Sequence, residues 1–490
     1  MGSKPTFNIE TRLWINGDFV EPADAQTFVL RSPATDEDVA HVHVAGPKDV
    51  NRAVACAKAA QPAWAELPAA VRASKLLKLA DLIERDAEKI TRLDAIAMGR
   101  PVGTQGIDIA VSAARLRYEA GLAQTLVGES SLLSPGQLNL VLRQPLGVTA
   151  GILPFNVPII MMVGKMGPAI AAGNAIIIKS SEKAPLAVLH IVSLTKEAGI
   201  PDGIVSCLSG LGQTGALLAS HMEIRKISFT GSTRTGRLIA KAAAESNLKD
   251  VALELGGKSP AIVFDDADLD TAIPACDFSI RWNSGQICMA NSRIYVHKNI
   301  AEEFKKRFIA SFGSYKHGDP LDPETGMGPQ ADAIQGKIVQ SYIDIGKQDG
   351  KLLLGGERVG DKGNFFTPTV FSNVPEDSRI NKEEVFGPVV VIHEFEDERD
   401  VIRRANDTEY GLYAAVFTKD IDRAIRVAKK LEASSLLYSL AGTVGVNATS
   451  PSTANELTFG GFKSSGMGRE QGIESLKRWT EEKSVVIKFA

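Results

Sequence analysis

Over the first hundred or so positions the apolar residues recur at helical spacing. Val50, Ala53, Val54 and Ala57 share one helix face, and Ala73, Leu76, Leu77, Ala80 and Ile83 repeat the arrangement. A short strand-like start around Leu13 to Val20 precedes them. From Gly147 the texture changes to short, continuous apolar runs: Val148–Leu153, Ala175–Ile178, Ile204–Leu208, Ile227–Phe229, Val251–Leu255 and Ala261–Phe264. A helical stretch from Pro185 to Ala198 lies between the second and third runs, and Gly199 and Pro201 follow it as stop signals. Unbroken apolar strands alternating with helices imply a parallel sheet covered on both faces.

A second α/β region is expected from about Lys258 to Lys463. Two segments read as strands outside the main sheets. In Leu138–Arg143, Leu138, Leu140 and Leu142 alternate with Asn139, Val141 and Arg143; Ser484–Phe489 alternates similarly near the C-terminus. With no visible partner in the main sheets, both are expected to pair between subunits, which predicts a homodimer or homotetramer.

A chain of 490 residues exceeds what one core usually serves. With 44% hydrophobic and 23% charged residues it is an ordinary globular composition. A net charge of −3 gives no reason to expect nucleic acid or an anionic membrane as partner. The most apolar stretch, Pro154–Ile178, is interrupted by Asn156, Lys165, Pro168 and Asn174 and is not expected to span a bilayer. The opening MGSKPT fits a myristoylation pattern, read here as a chance match, and no secretory signal is evident. Cys56, Cys207, Cys276 and Cys288 are too few and scattered for a disulfide framework, and the histidines show no metal-ligand spacing. A cytoplasmic protein with reduced thiols and no metal is expected.

Three residues stand out for chemistry. Cys288 follows Gly285-Gln286-Ile287, and the polar run beyond it suggests a turn into a helix, whose N-terminus would favour a thiolate. Asn156, between Phe155 and Val157-Pro158, reads either as a turn residue or as a neutral donor to a developing oxyanion, worth about 3–4 kcal/mol. Glu254 ends an apolar run before Gly256-Gly257. A carboxylate there is poorly solvated and its pKa should rise, which suits a general base; the alternative is a structural ion pair.

These residues lie in an ordered set of motifs: Pro154-Phe155-Asn156-Val157-Pro158, Phe229-Thr230-Gly231-Ser232-Thr233-Arg234-Thr235-Gly236, Leu253-Glu254-Leu255-Gly256-Gly257-Lys258, Gly285-Gln286-Ile287-Cys288, Glu383-Glu384-Val385-Phe386-Gly387-Pro388 and Phe459-Gly460-Gly461-Phe462-Lys463-Ser464-Ser465-Gly466. The set resembles the aldehyde dehydrogenase superfamily over nearly the whole chain. The resemblance implies a Rossmann-like parallel-sheet cofactor domain (residues 1–126 and 146–256), an α/β catalytic domain (257–466) and a small β oligomerisation extension (127–145 and 478–490). It implies Cys288 as nucleophile, Asn156 with the Cys288 backbone N–H as oxyanion donors, and Glu254 as base for the water that cleaves a thioester. Relatives that pass the acyl group to CoA usually lack the glutamate matching Glu254, and non-catalytic members tend to lose one of these three residues; all three are retained here.

Hydride transfer requires a cofactor, and NAD is expected. By residues alone, Gly210-Leu211-Gly212-Gln213-Thr214-Gly215 is a literal G-x-G-x-x-G between a predicted strand and helix and would hold the pyrophosphate. The resemblance instead implies Gly231, Ser232 and Gly236 on the phosphate side, with Gly212 and Gly215 lining the adenine. It further places Lys179 and Glu182 at the adenosine ribose, Glu384 and Phe386 at the nicotinamide ribose, and Ile152, Phe155 and Leu255 along the cofactor. Glu182 would repel a ribose phosphate, so NAD should be preferred to NADP.

For the aldehyde, helical spacing carries Ile160, Met161 and Gly164 along the side of Asn156. Small-aldehyde members of the family narrow their tunnel with aromatics at the positions of Val157 and Gly164. Here Val157, Met161, Gly164, Ile287 and Met289 predict a wide apolar tunnel, and Ala448–Asn455, another wall by the same resemblance, holds no aromatic residue. A bulky aromatic or long apolar aldehyde is expected, unless Gly164 merely permits close helix packing. The chain departs from the family at Ser434–Leu440, a stretch that looks inserted before Ala441-Gly442-Thr443-Val444.

Overall fold

A computed structural model describes residues 8–431, 442–450 and 454–489. Ser434–Leu440, the N-terminal MGSKPT and part of Ala448–Asn455 fall outside the described residues.

The short apolar runs become the centre of an eight-stranded sheet. Five strands lie parallel in the spatial order Val205–Leu208, Ala175–Lys179, Val148–Ile152, Lys226–Thr230 and Asp250–Glu254. Four of them are buried along their whole length, as expected of strands covered on both faces, and Asp250–Glu254 is buried over its last three residues. The order reverses between Val148–Ile152 and Lys226–Thr230, and a crevice opens beyond the carboxyl ends of strands at such a switch. The hairpin Leu13–Ile15/Asp18–Val20 closes one edge antiparallel. At the other edge Gly466–Met467 pairs with Leu253 and Glu254, so the domain boundary expected at 466 runs through a strand of this sheet.

A second, seven-stranded sheet has the order Lys351–Leu354, Thr369–Ser372, Val389–Phe395, Arg293–His297, Pro260–Val263, Tyr413–Phe417 and Thr443–Val446, parallel except for its first pair. The run around Ala261 belongs to this sheet, and only the turn Leu255–Ser259 separates it from the first. Both helices read near the N-terminus are present, as Pro47–Glu66 and Ala69–Arg85. The hairpin Thr27–Arg31/Asp38–His43 had no signal, because most of its residues lie at the surface.

The two outlying strands do have a partner: each other. Gln137–Pro145 pairs antiparallel with Thr480–Lys488, from Gln137 opposite Lys488 to Pro145 opposite Thr480, and Glu129–Ser131 adds a third strand. The inference that they need another subunit is therefore corrected. Their pairing lies within the chain, and only the outer edges remain open.

The helix Pro158–Ala171 is buried at every position except Met161 and packs against the helix Gly106–Leu122. Its first turn begins at Pro158, whose fixed φ suits that position, directly after Asn156-Val157. Among the described residues no helix is long and apolar enough to cross a membrane, and none of the His, Cys, Asp and Glu side chains cluster as a metal site.

Candidate active site

Cys288 stands in a turn, half-buried, with the Ala290 N–H donating to the Ile287 carbonyl. The expected helix after Cys288 is absent: the chain runs on into the strand Arg293–His297. Helix-end activation of the thiol is corrected accordingly. Burial, followed by the charges of Glu384 and Glu254, pushes the Cys288 thiol up, while the backbone N–H groups of Cys288 and Met289 pull it down. The turn is entered through three successive left-handed residues, Asn283 (φ 50°), Ser284 (φ 54°) and Gly285 (φ 76°). Non-glycine residues hold such angles only where their surroundings fix them. Ser284 Oγ donates to the Gly328 carbonyl (2.7 Å) and Asn283 Nδ2 to the Asn156 carbonyl (2.8 Å).

Asn156 returns a bond to the same loop. Its Nδ2 donates to the Gln286 carbonyl at 2.9 Å, two residues before the cysteine. The amide carries a second N–H donor and is 4% exposed, so its dipole works in a poorly solvated site.

Glu254 is brought to the loop by the turn that follows it. A Cβ on Gly257 would sit 2.1 Å from the Cys288 carbonyl oxygen, so only glycine lets the two backbones meet. Glu254 itself is buried and its Oε2 has no hydrogen-bond partner. Its carboxyl is raised well above the ordinary range, first by burial, then by the charge of Glu470, against the pull of Lys165 and Arg469. Among the described residues no ion pair reaches Glu254, and both nearby cations are engaged elsewhere: Lys165 Nζ lies 2.7 Å from Glu470 Oε1 and donates to Ser228 Oγ at 2.9 Å, and Arg469 Nη1 donates to the carbonyls of Gly461 (3.1 Å) and Gly468 (2.6 Å).

Most of the remaining candidates follow the carboxyl ends of the parallel strands of the first sheet. Gly231 N–H donates to the Glu254 carbonyl (3.0 Å), and Ser232 caps the helix Thr233–Glu245 by accepting from the Thr235 N–H. A Cβ on Gly236 would come 2.6 Å from Leu255 Cδ2, so this glycine seats the helix on the sheet. Gly212 opens the helix Gly212–Ser220 with nothing within 4 Å of its missing Cβ, and Gly215 faces Ile152. Lys179 is buried at the end of its strand, 3.5 Å from Glu182. In the loop before the strand Val389–Phe395, Glu384 accepts from the Gly257 N–H (3.0 Å), and burial raises its carboxyl to about 7. Phe386, left-handed at φ 56°, sets its ring edge-on to Phe155 at 5.7 Å.

The sequence model of the aldehyde dehydrogenase family matches residues 19–485. The chain belongs to the aldehyde dehydrogenase family. An aldehyde dehydrogenase of Emericella nidulans is 43% identical over 96% of this chain and 94% of its own, and one of Enchytraeus buchholzi is 43% identical over 98% and 96%. Among solved structures, a mutant of the P. syringae indole-3-acetaldehyde dehydrogenase AldA, in complex with NAD+ and IAA, is similar with a TM-score of 0.95 at 38% identity, covering 99% of this chain and 98% of its own.

Within this aldehyde dehydrogenase, Val157, Ile160 and Ile287 are buried, and Met161 and Met289 partly so, in one apolar cluster with Phe278, Trp282 and Tyr413. A cavity of about 350 Å³ adjoins the cluster, lined by Ile107, Phe278, Arg281 and Trp282 among others. Gly164 differs from expectation. A Cβ there would lie 2.7 Å from Arg115 Nη1, so the space left by the missing side chain is filled by a guanidinium and is not an apolar opening. Sequence reasoning missed Arg115, the Lys165–Glu470 pair and the Asn283-Ser284 turn. Lys165 did carry a signal, a lone lysine in an otherwise apolar helix; Glu470 carried none, because its partner is 305 residues away.

Proposed function

We propose that this aldehyde dehydrogenase oxidises an aldehyde to the carboxylic acid with NAD, using Cys288 as nucleophile and Glu254 as base for hydrolysis. The observation that carries the reading is the contact of Gly257 with the Cys288 backbone, together with the bond from Asn156 to the same loop, which bring a thiol, a neutral amide donor and a buried carboxylate with one unpartnered oxygen into one site.

The residues present fit a dinucleotide. Gly212 and Gly215 leave room beside the helix Gly212–Ser220, and Gly231 and Ser232 stand at a helix N-terminus beside the topological switch, where backbone N–H groups suit phosphate. The Gly210–Gly215 turn lies two strands from that switch, which favours the second site for the pyrophosphate. Lys179 and Glu182 would take the adenosine ribose, Glu384 the other ribose, and Phe155 and Phe386 would frame the nicotinamide end. Glu182 at the ribose favours NAD over NADP. When bound, the oxidised nicotinamide accepts the hydride.

The thiol adds to the carbonyl carbon, and the oxygen takes negative charge facing the second N–H of Asn156 and the backbone N–H of Cys288. Loss of hydride leaves a thioester on Cys288. Glu254, its carboxyl raised by burial, removes a proton from water, and attack on the thioester releases the acid and the thiol. The walls at Val157, Met161, Ile287 and Met289 support an aldehyde larger than acetaldehyde. The free cysteines are consistent with a cytoplasmic setting.

A panel of aldehydes assayed with NAD and with NADP, following the absorbance of the reduced cofactor, tests this reading. Turnover with NAD should vanish in Cys288→Ala while NAD binding persists. Substantial activity in that variant would exclude Cys288 as nucleophile.

A further inference from the structure

Arg115 is 3% exposed, and its Nη2 has no hydrogen-bond partner. Among the described residues no hydrogen bond or ion pair reaches the guanidinium. Glu119, one turn on, and Glu470 are near enough for their charges to act on it, but Glu470 is bound to Lys165 and Ser228. An unpaired buried cation is expensive, and a protein that keeps one usually supplies it with an anion.

The position of Arg115 indicates where that anion comes from. Ile107, Val111 and Arg115 follow one another at four-residue intervals on one face of the helix Gly106–Leu122. Ile107 lines the cavity with Phe278 and Trp282; Ile107 and Val111 are 45% and 36% exposed, so the row runs from exposed side chains at the cavity to a buried guanidinium two turns on. On the facing helix, Gly164 meets that guanidinium, and Ile160, Met161 and Val157 continue its face back to Asn156. The seven residue steps from the cap Val157 to Gly164 advance about 10 Å along the helix. The same row of side chains therefore joins the reacting end to a cation roughly one small molecule away.

We propose that Arg115 determines specificity by binding a carboxylate at the end of the substrate remote from the aldehyde, so that the substrate is a semialdehyde of a dicarboxylic acid. The proposal rests on the reading of Cys288 as nucleophile and replaces the wholly apolar tunnel with an apolar passage ending at a cation. Gly164 is then required for the space it gives the guanidinium.

The test compares kcat/KM, with NAD, for para-carboxybenzaldehyde against benzaldehyde and for adipic semialdehyde against hexanal. The parent enzyme should favour the carboxylated member of each pair by about tenfold or more. Arg115→Gln should reduce that ratio by about thirtyfold, mainly through KM, and Arg115→Lys should restore part of it. Gly164→Ala, which pushes the guanidinium aside without removing it, should also lower the ratio. A parent that prefers the uncharged aldehydes, or a ratio unmoved in Arg115→Gln, would show the guanidinium to be structural and overturn the proposal, leaving the Cys288 chemistry intact. Loss of all aldehyde oxidation in the parent would instead remove the activity itself and this proposal with it.

Discussion

Replacing Gly257 by alanine puts a methyl carbon 2.1 Å from the Cys288 carbonyl oxygen, where ordinary contact begins at 3.4 Å. The obstacle is backbone, so no side chain can swing away, and Leu412 Cβ at 3.4 Å closes off another direction. The nucleophile loop or the Glu254 turn must give by about 1 Å, and misplacement on that scale typically costs on the order of a hundredfold in rate. Crowding a packed site costs about 1–3 kcal/mol, less than the stability of most domains, so the variant should fold. The assay is steady-state kcat with NAD and a well-used aldehyde, alongside thermal melting and the rate of Cys288 alkylation by iodoacetamide. Gly121→Ala serves as the control, because the added methyl meets nothing within 4 Å. A folded Gly257→Ala enzyme with kcat within about threefold of the parent would refute the claim that this contact sets the geometry of the site.

Three further outcomes are expected. Glu254→Gln should give one burst of reduced cofactor and then stall with an acyl group on Cys288 visible by mass spectrometry; a burst equal in size but followed by normal turnover would assign the base elsewhere. Burial raises Asp94 to about 7, with Arg100 opposing, and neither carboxylate oxygen has a partner. Because the folded value lies above the unfolded one, the contribution of Asp94 is fully present below about pH 4 and is lost as pH rises through about 7. Asp94→Asn should therefore raise unfolding free energy near pH 8 by a few kcal/mol and change it little near pH 4, and urea melts with no difference between the two pH values would contradict this. Finally, Val486 and Ile487 on the C-terminal strand and Phe489 just beyond it are exposed, as are Leu132 and Leu133 after the strand Glu129–Ser131, so a homodimer or homotetramer is expected; a monomer in sedimentation at micromolar concentration would argue against it.

Much of the architecture is fixed by local pattern. Runs such as Ala175–Lys179 are apolar at nearly every position, and a parallel sheet covered on both faces is the simplest way to bury them, so strands and intervening helices were legible residue by residue. Cys288, Asn156 and Glu254 could be picked out because each is a polar or reactive group where the surrounding sequence is apolar or glycine-rich. What depends on pairing between distant elements was not legible. Nothing local shows that Gln137–Pro145 pairs with Thr480–Lys488, that Cys288 lies in a turn leading to a strand, or that Lys165 is held by Glu470. Arg115 shows the difference most clearly. Its sequence neighbours mark it as one polar residue on a surface helix, and only the packing of that helix on the side-chain-free face of Gly164 buries the guanidinium without a partner. Periodicity encodes which face of an element leaves water; which charge then meets which neighbour is decided by the element packed against it.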